Sequence, residues 1–340
     1  MYLKRIYYND LTMIQDFCSL LPSPVQEIID KVLTTNNIRL FIKRDDLIHA
    51  SISGNKARKL KYNLLAMEEL GYKRLLTFGG AFSNHIHATA AAGKEFGIET
   101  IGIIRGDTPL AFSKDRPLRA NANRLTPTSP TLEYAEKCGM KLYFVNRTDF
   151  RHPDLIIQKL QNELGKFYLL PEGGSNKLAI KGCREIIEEI NLQMLLKADY
   201  FCCACGTGAT LAGIIAAANN NQQVIGFSAL KGDFLQNDVQ NLLHQENSKG
   251  INWNITDNYC FGGYSKWRPE LIHFINDFKS KYGIPIDPIY TGKMFFGIFD
   301  LIKKNYFKPN TIIVAIHTGG LQGIDGFNKI KLKNSNLIMT

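Results

Sequence analysis

The sequence predicts an α/β fold built on parallel sheets. Short apolar runs alternate with amphipathic stretches along its length, and several of the runs are β-branched and apolar on both faces, as buried parallel strands are. Glycine-rich turns stand where a run hands over to the stretch that follows. The candidate strands are Arg74–Phe78, Thr100–Ile104, Lys141–Val145, Phe167–Leu170, Tyr200–Ala204, Val224–Phe227 and Thr311–Ile316. The first candidate helix, Asn55–Leu70, repeats Leu60, Leu64 and Met67 near helical spacing, and His85–Phe96 is rich in alanine, a strong helix former. Lys177–Ile190, Thr210–Asn219, Trp267–Tyr282 and Gly292–Lys303 also read as helices. This alternation argues helices on both faces of each sheet and right-handed crossovers. A chain of 340 residues has room for about two domains. No clear linker divides it; Asp107–Pro130, rich in Pro, Thr, Ser and Asn, reads as a loop over a cleft.

Composition narrows the class. Hydrophobic residues make up 45% and charged residues 21%, which is enough for a core and carries no disorder signature. No apolar run approaches the roughly 20 residues of a membrane-spanning helix. Met1–Arg5 carries charge with no apolar signal segment behind it, so a soluble, cytoplasmic protein is expected. The odd count of seven cysteines suits a reducing compartment better than a disulfide framework. Cys202, Cys203 and Cys205 lack a second Cys or His pair at zinc spacing and read as a buried strand; no metal is expected. The net charge of +10 is spread among acids along the whole chain. It suits a solvated surface with attraction for an anionic cofactor better than a nucleic-acid partner.

Six segments carry candidate chemistry. Lys43-Arg44-Asp45-Asp46-Leu47 leads to Ser53-Gly54-Asn55-Lys56-Ala57-Arg58-Lys59-Leu60. A lysine at a helix N-terminus sits in a positive field that disfavours its ammonium form, and a neutral amine is what condensation with an aldehyde needs. The alternative is a plain exposed lysine. Thr77–His87 contains Gly79-Gly80-Ala81-Phe82-Ser83-Asn84-His85, a strand, a turn and a polar helix start. Ligands bind beyond the carboxyl ends of such strands, but Ser83 and Asn84 are also good N-caps. Cys205-Gly206-Thr207-Gly208-Ala209-Thr210 is a strand-to-helix turn whose amides can cradle a phosphate, with Leu211 standing where a dinucleotide fingerprint needs glycine. Asp287-Pro288-Ile289-Tyr290-Thr291-Gly292-Lys293 and His317-Thr318-Gly319-Gly320 place hydroxyls on turns, and Phe261-Gly262-Gly263-Tyr264 puts an aromatic on a glycine turn.

In this order the segments resemble the family of 1-aminocyclopropane-1-carboxylate (ACC) deaminases and D-cysteine desulfhydrases, over about Ile42 to Gly323. That resemblance implies a fold type II enzyme dependent on pyridoxal 5′-phosphate, with two domains, each an open, mostly parallel twisted sheet with helices on both faces. It implies a larger domain from residues 1–57 and 166–340, a smaller one from 58–165, and the cofactor in a cleft. It further implies that Lys56 bonds the cofactor's aldehyde carbon and moves the α-proton, and that Asn84 contacts the ring oxygen. Ser83 and His85 would lie by the substrate, Gly206, Thr207, Gly208, Ala209 and Thr210 around the phosphate with Lys59 nearby, and Tyr264 and Tyr290 in the active site. ACC deaminases resemble D-P-x-Y-E-G-K and H-L-G-G; Thr291 and Thr318 here resemble the desulfhydrase side. The implied reaction is β-elimination on D-cysteine, giving pyruvate, ammonia and hydrogen sulfide. Alternatives are ACC deaminase, a hydrolase-type deaminating activity, a lyase for D-serine or β-chloro-D-alanine, and a non-catalytic cofactor-binding protein. The expected partners are a small amino acid and a second copy of the chain in a homodimer.

Overall fold

A computed structural model describes residues 17, 21–106, 129–245, 251–329 and 337–338. The strands among them are β1 Val25–Ile28, β2 Arg39–Lys43, β3 Arg74–Gly80, β4 Glu99–Arg105, β5 Lys141–Val145, β6 Tyr168–Leu170, β7 Tyr200–Cys205, β8 Gln223–Ser228, β9 Asn252–Thr256 and β10 Ile312–Ile316. They divide between two units, one made of Met1–Asn63 with Ser175–Thr340 and the other of Leu64–Gly174; the first boundary falls inside the helix Asn55–Glu69.

The larger unit holds a six-stranded sheet in the order β1-β2-β10-β7-β8-β9. Only the β1–β2 pair is antiparallel; the other four pairs are parallel. Period-two alternation sends the apolar residues of its strands into two cores. Phe201, Cys203, Cys205, Val314 and Ile316 pack with the helices Lys177–Gln193, Ala209–Ala217 and Phe234–Gln245 on one face. Cys202, Ala204, Ile313 and Ala315 pack with Pro269–Tyr282 and Thr291–Lys303 on the other. The three neighbouring cysteines are thus buried strand residues, as their spacing suggests.

The smaller unit holds a four-stranded, wholly parallel sheet in the order β5-β4-β3-β6. Leu76, Phe78, Ile101 and Ile103 meet the helix Pro153–Leu164 on one face. Ile104 meets Ile86, Ala90, Leu132 and Ala135 from Asn84–Phe96 and Pro130–Lys137 on the other. Both sheets therefore carry helices on both faces, the predicted α/β class.

Three strands, β1, β2 and β9, lie where the sequence pattern gives no expectation. Strand β1 has only Ile28 fully buried and β9 has no fully buried residue, so the apolar signal on these edges is weak. Of the predicted loop Asp107–Pro130, residues 107–128 lie outside the described residues, as does Met1–Arg5. Pro130 itself starts a helix, at the position where its missing N–H costs nothing. Among the described residues no helix is long and apolar enough to cross a membrane.

Candidate active site

Lys56 stands in the first turn of the helix Asn55–Glu69 and is half-buried. The turn before it is fixed from two sides. Gly54 N–H donates to the Asp45 carbonyl (3.0 Å) and Asn55 N–H to the Thr318 carbonyl (3.2 Å). Gly54 has φ +65°, and a Cβ there would lie 1.9 Å from the Thr318 carbonyl oxygen, so only glycine fits. Two residues past the lysine, the Arg58 guanidinium is fully buried and grips Asp45 through Nε (2.6 Å) and Nη2 (2.7 Å). It also donates to both Glu189 oxygens (2.8 and 2.9 Å). Glu189 pairs with buried Lys43 at 2.6 Å, and Ser23 donates to Asp45 at 2.6 Å. Arg58 and Asp45 thus clamp the helix start that presents Lys56. The Lys56 amine is lowered to about 7, first by burial and then by the charge of Lys59.

That amine is linked to the third segment. Lys56 Nζ donates to Asn55 Oδ1 (3.1 Å), and Asn55 Nδ2 donates to Thr210 Oγ1 (2.9 Å). Thr210 opens the helix Ala209–Ala217 after the turn from β7, where Gly208 takes φ +81° and no side chain caps the helix. Lys59, also buried and lowered by burial, reaches Thr207 Oγ1 at 3.4 Å, and Ser175 Oγ donates to the same oxygen at 2.7 Å. A Cβ on Gly206 would meet the Tyr290 ring at 3.1 Å, so the tyrosine lies against this turn.

The fourth and fifth segments meet the same unit. Asp287 caps the helix Thr291–Lys303, its Oδ2 accepting from Ile289 and Tyr290 N–H (both 2.9 Å) and its Oδ1 from Thr291 N–H (2.8 Å). The fully buried Thr291 hydroxyl donates to Asp287 Oδ1 (2.7 Å) and accepts from Asp287 N–H (2.9 Å). Thr318 is buried beside His317, whose Nε2 donates to the Pro285 carbonyl at 2.8 Å. Tyr264 is exposed, and its ring stands edge-on to Tyr290 at 6.2 Å between centroids.

The smaller unit carries the Ser83–His85 segment at the carboxyl end of β3. Ser83 caps the helix Asn84–Phe96, its Oγ accepting from His85 N–H (3.2 Å) and Ile86 N–H (3.3 Å). Asn84 is half-buried at the helix start. His85 is buried, with Nε2 2.8 Å from Thr77 Oγ1. Thr77 already donates its only hydroxyl hydrogen to the Leu170 carbonyl (2.8 Å), so His85 Nε2 carries the proton between them.

A buried amine near neutrality, tied through an asparagine to an uncapped glycine turn at a helix N-terminus, is chemistry for an aldehyde that bears an anion. The comparisons agree. The family described as "Pyridoxal-phosphate dependent enzyme" matches residues 22–319. The chain belongs to that family. It is 31% identical to the "Bifunctional D-cysteine desulfhydrase/1-aminocyclopropane-1-carboxylate deaminase, mitochondrial" of Arabidopsis thaliana, over 85% of this chain and 74% of the relative. It is 27% identical to the "D-cysteine desulfhydrase" of Klebsiella pneumoniae (strain 342), over 90% of this chain and 94% of the relative. The crystal structure titled "ACC deaminase homologue" superposes with TM-score 0.75 at 26% identity, covering 93% of this chain and 98% of that one.

The residues present fit this family's cofactor, pyridoxal 5′-phosphate. Turn Gly206–Thr210 offers backbone donors and two threonine hydroxyls for a phosphate, Lys59 adds positive charge, and Lys56 offers the amine. The larger unit brings together Lys56, Lys59, Gly206–Thr210, Tyr290 and, through Asn55, Thr318. The residues that sequence reasoning missed are the supports Asp45, Asn55, Arg58, Ser175, Glu189 and Asp287. Asp45, Asn55 and Arg58 stand inside the lysine segments and Asp287 in the Tyr290 segment, so the signal was proximity; their partnerships span up to 155 positions and leave no local pattern.

Proposed function

We propose that this chain is a pyridoxal-phosphate-dependent lyase that expels the β-substituent of D-cysteine and forms pyruvate, ammonia and hydrogen sulfide. The observation that carries the reading is the Lys56 amine, lowered to about 7 and joined by Asn55 to the Thr210 turn. Bound there, the cofactor supplies a conjugated ring that spreads the electron pair left at the substrate's α-carbon. Lys56 Nζ would hold the cofactor's aldehyde carbon at rest and, once the substrate's amine has displaced it, would be the free amine that moves the proton at the α-carbon. The amides of Gly206–Thr210, the hydroxyls of Thr207 and Thr210, and Lys59 hold the phosphate. Within the smaller unit, His85 holds the helix start that bears Ser83 and Asn84 to β3 through Thr77. Tyr264 and Tyr290 stand ring against ring, with Tyr290 against the Gly206 turn.

Thr291 and Thr318 favour elimination over opening of a cyclopropane. A carboxylate at position 291 would hold the ring nitrogen protonated and make a stronger electron sink. A hydroxyl does so less, which suffices for a good leaving group such as hydrosulfide. ACC deamination is the second reading, favoured by the double name of the Arabidopsis relative. Purified protein should form pyruvate from D-cysteine, with ACC, D-serine and β-chloro-D-alanine assayed beside it. Lys56→Ala should abolish both turnover and the visible cofactor band. Failure to form pyruvate from D-cysteine, together with failure to form 2-oxobutanoate from ACC, would sink the assignment.

A further inference from the structure

Lys293 closes the Asp287–Lys293 run and has no part in the reading above. It is 1% exposed, yet among the described residues its amine pairs with no carboxylate; Nζ donates to the carbonyls of Cys260 and Gly263, both at 2.8 Å. Those carbonyls bracket an unusual turn. Phe261 has φ 54°, Gly262 94°, Gly263 121° and Ser265 55°. Non-glycine residues in this region are strained and persist only where the surroundings over-determine them. The turn's own backbone supplies Gly263 N–H to Cys260 O (3.0 Å) and Lys266 N–H to Gly263 O (3.1 Å). Lys293 adds a third tether and a fourth, from a different element. Tyr264 stands within the turn, its ring against that of Tyr290, which lies three residues before Lys293.

We propose that Lys293 is a positioning residue whose amine clamps the strained Cys260–Ser265 turn to the helix Thr291–Lys303 and so fixes Tyr264 beside Tyr290. The inference rests on the reading of those two tyrosines as active-site groups. Burial lowers the Lys293 amine to about 8. Either protonation state keeps at least two N–H groups for the two carbonyls, so the tethers do not depend on its charge.

The test uses the holoenzyme with 3-fluorotyrosine at position 264. Lys293→Met keeps length and apolar stem and removes the donors. Gly263→Ala strains the turn from the other end without touching the core: a Cβ there meets nothing nearer than 3.9 Å, so only the φ of +121° resists it. Both variants are expected to retain the cofactor's absorbance, to shift or broaden the fluorine resonance, and to lower kcat by roughly 10- to 100-fold with KM little changed. Lys293→Met added to Tyr264→Phe should cost no more than Tyr264→Phe alone. A fluorine resonance unmoved in both variants overturns the clamp, as do losses that multiply in the double variant. If Lys293→Met fails to fold, Gly263→Ala decides the matter alone. The resonance needs no turnover, so it judges the clamp even if the unaltered chain forms no pyruvate and the lyase reading falls.

Discussion

At the scale of single residues, Lys56 carries the sharpest prediction. Its amine is lowered to about 7 because burial strips water from the ammonium form and Lys59 repels it. The neutral form is the reactive one, and its share grows as pH rises through that value. Uptake of pyridoxal phosphate by the apoenzyme should therefore accelerate between about pH 6 and pH 8 and level off above. Lys59→Met removes a repelling charge, so the Lys56 amine should hold its proton to higher pH and the rise should move to the alkaline side. A rise at unchanged or lower pH in stopped-flow absorbance would remove Lys59 from the account, whatever happens to its amplitude. The sequence makes the lysine legible as a helix-start residue beside a polar turn. It does not make the surroundings legible, because Thr210, which the amine reaches through Asn55, stands 155 positions from that asparagine. Ser83 shows the converse: its N-cap role was readable at once, since the atoms involved lie within three residues.

At the scale of elements, the start of the helix Asn55–Glu69 depends on a buried charge network. Arg58 and Asp45 have fully buried side chains, and Arg58 also holds Glu189. Removing one member of a buried pair leaves the other uncompensated, at a cost of roughly 3–5 kcal/mol. Arg58→Met should lower stability by about that much in urea unfolding, and a loss below about 1 kcal/mol would mean the network is slack. Gly54→Ala should fold with the lysine turn displaced, because the new Cβ meets the Thr318 carbonyl at 1.9 Å; the measurement is loss of the cofactor band at near-native far-ultraviolet circular dichroism. The same network explains why β2 escapes a pattern reading. Its Lys43 is fully buried where alternation would place an apolar residue, and it is compensated by Glu189. Elements such as β7 and β10, buried on both faces, need no such partners and were readable from their apolar runs.

At the scale of the whole molecule, each unit has its own sheet and its own cores. The alternation of strands and helices made the class legible. The strand order was not: β10, last in sequence, sits between β2 and β7, and nothing local to Ile312–Ile316 encodes those neighbours. Chains with more than one core often unfold in more than one step. Calorimetry of the apoenzyme should resolve at least two transitions. Adding pyridoxal phosphate should raise the one that belongs to the larger unit, which holds Lys56, Lys59, Thr207 and Thr210, by mass action. Transitions that both stay put with cofactor in excess would show that binding does not draw on that unit.

The place of β10 also bears on synthesis. A growing polypeptide exposes Leu64–Gly174 well before Ile312 leaves the ribosome, so the smaller unit can mature while the larger lacks its central strand. The Asn55 amide meanwhile has no Thr318 carbonyl to meet, and the amine next to it gains its final surroundings only once Thr318 has emerged. A nascent chain arrested near residue 300 would hold a finished smaller unit and an inert lysine, which ties cofactor capture to the arrival of β10 and Thr318.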